Sequence, residues 1–268
     1  MSDREVAFAK INLALHVRSR RPDGYHDIET VFAFCEDGDL LTVRPSDELA
    51  LTVSGPFAGA LSVPFNLVMQ AALRLQQSTP GAPGAAIHLE KLLPVAAGLG
   101  GGSADAAAAL RLLQRQWDSP QGEASLDEIA GKLGADVPAC LASEPAMGRG
   151  RGDELDRVDP GLSGTPVLLV NPRVELSTEQ VFKAWDGVDR GPLEDWRSGR
   201  NDLEAAAGAL APQIRGILAW LAIQPGAELA RMSGSGATCF AFFASDADRD
   251  RAAEAVPREW WRLATRLR

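Results

Sequence analysis

Cysteine and histidine are both scarce in this chain, which has three of each among its 268 residues. Cys35, Cys140 and Cys239 lie far apart, so they form neither an even disulfide framework nor a pair with metal-ligand spacing. Three histidines are too few for a histidine-rich metal site. A reducing compartment, the cytoplasm, is therefore the expected location.

The chain also lacks a basic excess and a long apolar run. Acidic residues outnumber lysine and arginine by 36 to 27, giving a formal net charge of −9. This balance argues against a nucleic-acid backbone or an anionic membrane as the main partner. No apolar run approaches the roughly 20 residues of a membrane helix. The N-terminus, MSDREVAFAK, has charges where a secretory signal needs its apolar stretch.

Alternating apolar residues predict a first strand over residues 7–17, where the odd positions read Ala, Ala, Ile, Leu, Leu and Val. A period of two turns these residues to one face, which we expect to be core. Lys10 and Asn12 share the other face. A lysine there either extends to solvent at a sheet edge or serves a site, and the pattern leaves both open.

Further elements predict an α+β fold. We expect strands near residues 30–34, 40–43, 49–53, 86–89, 167–170, 228–232, 238–243 and 260–267, and helices near 66–77, from 103, 179–185, 201–209, 213–221 and 246–255. Residues 125–128 match a capping box that opens a helix ending near Gly134. The Gly- and Arg-rich stretch 148–153 suits a domain boundary, so we expect domains over 1–155 and 156–268.

The most informative segment is PVAAGLGGGSA, residues 94–104, which has four glycines in five positions and runs into an alanine-rich helix. Glycine lets backbone amides approach a ligand, and a helix N-terminus favours negative charge. Together they predict a phosphate site. A Walker A loop would need a lysine here, and a dinucleotide-binding fold would need a following strand ending in an acid. The signatures of a protein kinase are absent as well.

Other candidates stay ambiguous when taken singly. Asp136 is either a helix N-cap or a base that a nearby lysine keeps ionised. Gly24-Tyr25-His26 contains the only tyrosine in the chain and either binds a planar ring or covers the core. Phe182 is either a ring platform or the buried side of a helix. The Ser-Gly-Ser-Gly run at 233–236 is either a hairpin turn or a second backbone cradle.

Three blocks in order resemble the GHMP kinase superfamily: Ala9-Lys10-Ile11-Asn12-Leu13, the 94–104 segment and MSGSGAT at 232–238. RPDGYHDIETVF, LGADVPACL and NDLE match one branch of it, which acts on a cytidine-diphosphate sugar alcohol. The resemblance implies two domains with the active site in the cleft between them. The N-terminal domain would be ribosomal-protein-S5-domain-2-like and the C-terminal one a ferredoxin-like α/β sandwich.

The resemblance also implies ATP as the phosphate donor and magnesium with unassigned ligands. Lys10 and Asp136 would be the catalytic pair, with Asp136 as base. The ATP site would comprise Asn66, Pro94, Ala97, Gly98, Leu99, Gly100, Gly101, Gly102, Ser103 and Ala104, with Asn66 near the base of the nucleotide. The substrate site would comprise Asn12, Tyr25, His26, Thr178 and Phe182, with Phe182 across the substrate ring from Tyr25.

Several alternatives remain at this stage. The enzyme could be another GHMP kinase, such as a homoserine kinase, although a small acid gives Tyr25 nothing to stack on. A nucleotide-binding protein without turnover is a second alternative, and a dinucleotide oxidoreductase is a third, disfavoured because the second strand that such a fold needs is missing. The expected partners are small molecules, with no nucleic acid and no membrane, and the expected state is a monomer or a weak homodimer.

Overall fold

The computed structural model describes residues 3–61, 66–118 and 123–268. The chain forms two compact units that are interleaved along the sequence. The first unit comprises Met1–Ala9, Asp37–Val95 and Gly100–Ser143, and the second comprises Lys10–Glu36, Ala96–Leu99 and Glu144–Arg268. The expected domains 1–155 and 156–268 remain a prediction.

The first unit combines a sheet with a layer of helices. Its complete elements are β3 (Ala50–Ser54), β4 (Gly84–Glu90), α1 (Leu67–Ser78), α2 (Gly101–Gln116), α3 (Glu123–Leu133) and α4 (Val137–Ala142), with a 3₁₀ turn at Ala58–Ala60. Two long strands, β1 (Arg4–Arg20) and β2 (His26–Ser46), contribute residues to both units. In the first unit β4 pairs antiparallel with β2 and parallel with β3.

Small side chains explain how α2 packs in the first unit. Its alanines at 104 and 106–109 are all buried, and the helix packs against α1 and α4. Arg111 on α2 joins three elements. Its guanidinium pairs with Glu5 Oε1 at 2.7 Å and donates to the carbonyls of Cys140 at 2.7 Å and Leu141 at 3.1 Å. These carbonyls lie at the C-terminal end of α4, where helix geometry leaves them without intrahelical donors.

The second unit is built on a four-stranded antiparallel sheet with helices against it. Its elements are β5 (Ala146–Arg149), β6 (Glu154–Arg157), β7 (Pro166–Asn171), α5 (Thr178–Ala184), α6 (Glu204–Leu210), α7 (Gln213–Ala222), β8 (Ala227–Met232), β9 (Cys239–Phe243), α8 (Asp246–Ala255) and β10 (Trp261–Arg266). The sheet order is β10-β7-β9-β8. Helices α7 and α8 pack against this sheet, and β5 pairs with both β2 and β6.

Strand β1 is buried on both faces, since Lys10, Asn12 and His16 are at most 4% exposed. Three local expectations differ from the structure. The two segments expected at 30–34 and 40–43 are parts of the single strand β2. The capping box at 125–128 is wrong, because α3 already begins at Glu123. Residues 148–153 lie in the hairpin formed by β5 and β6. Across the described ranges, no helix is long and apolar enough to cross a membrane.

Candidate active site

The glycine-rich segment ends in the first turn of α2, in the first unit. Gly100 precedes the helix and has a left-handed backbone with a φ of 61°. Among the residues that the structure describes, no side chain caps this 16-residue helix, and its first turn contains no acidic residue. The first amides of a helix have no partner within it and carry partial positive charge. Residues 101–103 therefore offer backbone N–H groups suited to a phosphate.

The preceding residues, Ala96–Leu99, belong to the second unit and are held by hydrogen bonds from three residues. The Lys10 amide donates to the Leu99 carbonyl at 3.0 Å, and the Thr238 amide donates to the Ala97 carbonyl at 3.1 Å. The Ser233 hydroxyl donates to the Gly98 carbonyl at 2.8 Å. A Cβ at Gly98 would lie 2.4 Å from the Ser233 carbonyl oxygen, so the chains touch backbone to backbone.

The Ser-Gly-Ser-Gly run joins the antiparallel strands β8 and β9, as a hairpin connection would. It also supports strand β1, because the backbone N–H of Asn12 donates to the Ser233 hydroxyl at 3.2 Å. Asn201 holds the run from the other side, donating to the Met232 and Gly234 carbonyls at 2.8 Å each. Part of its role is therefore structural.

Lys10 is buried, which excludes a lysine that extends to solvent at a sheet edge. Its ammonium donates to Asn12 Oδ1 at 3.1 Å and lies 4.8 Å from the centre of the Phe32 ring. The side-chain amide of Asn12 donates from Nδ2 to Thr30 Oγ1 at 2.8 Å, and the Thr30 hydroxyl donates to the Ala14 carbonyl at 2.6 Å. A chain of hydrogen bonds thus orients Lys10 and Asn12 together.

An aromatic cluster surrounds His26 in the second unit. The His26 ring lies 5.0 Å from the Phe182 ring and 5.7 Å from the Trp185 ring, centre to centre. Burial lowers the pKa of His26, and the nearby Arg20 cation lowers it further, so the imidazole is neutral at pH 7. The buried Nε2 atom has no hydrogen-bond partner in the described structure. A buried polar atom of this kind is expected to bind a ligand or water.

Two further candidates stand beside this cluster. Tyr25 is 53% exposed, and the Arg151 guanidinium lies 5.2 Å from the centre of its ring. The Thr178 hydroxyl is 2.9 Å from the hydroxyl of Ser235. The contact of Phe182 is with His26, and its placement across a substrate ring from Tyr25 remains a prediction.

Asp136 and Asn66 belong to the first unit and both precede a helix. Asp136 occupies the N-cap position of α4, yet its side chain makes no capping hydrogen bond. Capping therefore does not account for this carboxylate. The Asn66 side chain does cap α1, accepting from the Val68 amide at 2.9 Å. The functional roles predicted for both residues, and the pairing of Lys10 with Asp136, remain predictions.

The sequence analysis missed a buried ionic cluster close to the start of α2. Lys91 lies between Asp39 and Asp105, at 2.5 Å and 2.6 Å. One signal in the sequence could have predicted this cluster. Asp105 lies inside the alanine-rich helix α2, and a buried charge without a partner is strongly disfavoured, so a partner of opposite charge is expected nearby. Within the described part of the chain, no group of three or more His, Cys, Asp or Glu side chains could hold a metal ion.

Comparison with known proteins gives consistent results along the chain. Residues 66–144 match the family of GHMP kinases N terminal domain, and residues 186–263 match GHMP kinases C terminal. A 4-diphosphocytidyl-2-C-methyl-D-erythritol kinase from Rhizorhabdus wittichii is 54% identical over 281 aligned residues, covering 100% of this chain and 96% of the relative.

Solved structures agree with the sequence comparison. A crystal structure of 4-(cytidine 5′-diphospho)-2C-methyl-D-erythritol kinase superposes with a TM-score of 0.84 at 33% identity, over 98% of each chain. A homoserine kinase from Cytophaga hutchinsonii has a TM-score of 0.69 at 19% identity, covering 99% of this chain and 95% of that one. The second likeness concerns the fold alone.

Proposed function

This chain belongs to the GHMP kinase family and is a kinase, and we propose that it phosphorylates the 2-hydroxyl of 4-diphosphocytidyl-2-C-methyl-D-erythritol with ATP, in isoprenoid precursor biosynthesis. The observation that carries the choice of substrate is 54% identity, along the whole chain, to a relative with that name. The protein works in the cytoplasm, as a monomer or a weak homodimer, without a nucleic-acid or membrane partner.

The uncapped start of α2 supports ATP as the phosphate donor. Its helix N-terminus, free of acidic residues in the first turn, favours a polyphosphate through backbone N–H groups and the helix dipole. Gly98 and Gly100–Ala104 wrap the phosphates, together with Pro94, Ala97 and Leu99. Magnesium, bound with ATP, neutralises phosphate charge, and none of its protein ligands is assigned.

In this proposal Asp136 is the general base and Lys10 its partner. Asp136 accepts the proton of the substrate hydroxyl while that oxygen forms a bond to the γ-phosphorus. The bond from this phosphorus to the β–γ bridging oxygen breaks, and ADP leaves. The Lys10 ammonium stabilises negative charge during the transfer. Its buried, oriented position is consistent with this task.

The environment of His26 supports a planar, hydrogen-bonding substrate group. A cytosine ring can stack on an aromatic side chain and exchange hydrogen bonds with a neutral imidazole. The unpartnered Nε2 of His26 beside Phe182 is suited to this contact. Tyr25 covers the ring, while Asn12 and Thr178 complete the site. Homoserine has no ring, so it leaves this cluster unused.

A substrate panel tests the proposed activity. The purified protein with magnesium and ATP should release ADP with the cytidyl substrate and at least a hundredfold more slowly with homoserine or mevalonate. Preference for homoserine would instead establish the other GHMP activity. ATP binding by calorimetry without ADP release from any acceptor would indicate a protein that binds nucleotide without turnover.

The Asp136→Asn variant tests the base. Turnover should fall by about a hundredfold to ten-thousandfold, the usual contribution of a general base, while ATP affinity changes less than about threefold because the neutral isostere preserves the fold. Single-turnover rates and calorimetry measure these quantities. Asp127→Asn, an exposed carboxylate on α3, is the matched control. Near-normal turnover in Asp136→Asn would exclude Asp136 as base.

A further inference from the structure

The buried cluster of Lys91, Asp39 and Asp105 contains two carboxyl groups and one ammonium. All three side chains are at most 3% exposed. With every group ionised the cluster would carry one uncompensated negative charge. An uncompensated buried charge is strongly disfavoured, and such groups usually change protonation state instead. One of the two carboxyl groups is therefore suited to hold a proton.

The hydrogen bonds show which carboxyl group this is. Asp39 accepts from the ammonium of Lys91 and from the amides of Leu92 and Leu93, at 2.5, 2.5 and 2.8 Å. Asp105 accepts only from Lys91, through Oδ2, and its buried Oδ1 atom has no partner in the described structure. Three donors stabilise an ionised Asp39, whereas Asp105 lacks comparable support.

The charges on the neighbouring elements agree with this assignment. Burial raises the pKa of Asp105 to about 7, with Lys91 opposing the rise and Asp39 adding to it. Burial also lowers the pKa of Lys91, but Asp105 and Asp39 outweigh it, so that pKa is raised and the ammonium stays protonated. Asp39 from β2 and Lys91 after β4 are the charged groups that act on Asp105 in the described structure.

The cluster lies directly beneath the first residue of α2. A Cβ built on Gly101 would be 3.1 Å from the Lys91 ammonium nitrogen and 3.8 Å from Asp39 Oδ2. The cluster also holds both flanks of the glycine-rich segment. Asp39 binds the amides of Leu92 and Leu93, just before Pro94, and Asp105 is on α2, just after the glycines.

We propose that Asp105 is a positioning residue that takes up a proton when a nucleotide polyphosphate binds at the start of α2. The inference rests on the proposed function for the location of ATP. Phosphate charge above the first turn disfavours a second negative charge beneath it, because Coulomb interactions in a partly buried site are weakly screened. Once Asp105 is protonated, the Lys91 ammonium pairs with the Asp39 carboxylate alone. Asp39 still accepts from the amides of Leu92 and Leu93, so the residues just before the glycine-rich segment stay in place.

Calorimetry of ATP binding tests the coupling without turnover. ATP is titrated into the whole protein at pH 7.0 with excess magnesium and no cytidyl substrate, in buffers of different ionisation enthalpy. The dependence of the observed heat on buffer enthalpy gives the number of protons exchanged. We expect uptake of about 0.4 proton per ATP by the wild type and less than about 0.1 by Asp105→Asn. Asp127→Asn should behave as the wild type.

The outcomes separate this inference from the proposed function. ATP binding with equal proton exchange in the wild type and Asp105→Asn overturns the role of Asp105 and leaves the kinase proposal intact. Failure of ATP to bind the wild type overturns both.

If Asp105→Asn does not fold, a pH series on the wild type decides. Uptake should be largest near about pH 7.5 and vanish near about pH 5.5, where Asp105 already holds its proton. A flat profile overturns the inference.

Discussion

At the scale of single residues, a buried polar atom without a hydrogen-bond partner is a candidate for contact with a ligand. His26 is the clearest case, because its Nε2 atom is buried and unpartnered in the described structure while its ring contacts Phe182 and Trp185. Burial is the larger cause of its lowered pKa, and the Arg20 charge adds to it. The imidazole is therefore neutral at pH 7.

The pH dependence of substrate binding follows from this state. A lowered pKa means that His26 in the folded protein remains neutral until the pH falls below 6.5, the ordinary value. The KM for the cytidyl substrate should be constant from about pH 7 to 8.5 and rise only below pH 6.5, where protonation places a cation beside Arg20. Initial rates at saturating ATP measure this.

The matched variant for this prediction is His26→Gln, whose side-chain amide can still form hydrogen bonds but does not titrate. Its KM for the cytidyl substrate should be higher than that of the wild type and should lose the rise at low pH. A rise that persists in His26→Gln would assign the titration to another group.

At the scale of elements, close backbone contacts determine the local geometry. Gly38 allows β2 to continue past Ala7 in the first unit, since a Cβ there would lie 1.8 Å from the Ala7 carbonyl oxygen. The sequence pattern predicts two separate strands here because Glu36, Asp37 and Gly38 interrupt the run of apolar residues. The β5–β6 hairpin was missed because its strands have only four residues each, too few for a period to be detected.

Gly98→Ala tests the backbone contact within the glycine-rich segment. Gly98 has a φ of 74°, and an added Cβ would meet the Ser233 carbonyl oxygen at 2.4 Å. The variant should lose about 2 kcal/mol or more of unfolding free energy, through left-handed backbone strain and displacement of the 233–238 segment. ATP affinity should fall at least tenfold. Urea unfolding and calorimetry provide both values.

Gly131→Ala on α3 is the matched control, because an added Cβ would meet no atom within 4 Å. Replacing a helical glycine by alanine should raise stability by up to about 1 kcal/mol. If Gly98→Ala binds ATP as the wild type does, the contact with Ser233 does not shape the nucleotide site.

At the scale of the whole molecule, buried titratable groups link stability to pH. Burial raises the pKa of Asp105 from 3.8 to about 7. Below pH 3.8 the folded and unfolded states both hold this proton. Between the two values only the folded state holds it, so the contribution of Asp105 to stability decreases as the pH rises toward 7.

Asp105→Asn should remove this dependence. The difference in unfolding free energy between the variant and the wild type should shift in favour of the variant as the pH rises from about 4 to about 7, and then stay constant. Urea unfolding at several pH values measures the shift, with Asp127→Asn as reference. A difference that does not vary with pH would show that Asp105 does not titrate in this range.

The sequence alone was enough for most helices and strands and for the family. Helix α8 was predicted at its observed bounds, 246–255, because capping and helix formation depend on neighbouring residues. The glycine-rich segment was recognisable for the same reason, since four of its glycines fall within five consecutive positions. The orientation of Lys10 by Asn12, the unpartnered nitrogen of His26 and the proximity of Lys91 to Asp39 and Asp105 were decided by tertiary structure. These features depend on contacts between distant segments and on burial, which alter the energy of a charge or a polar atom without leaving a local pattern.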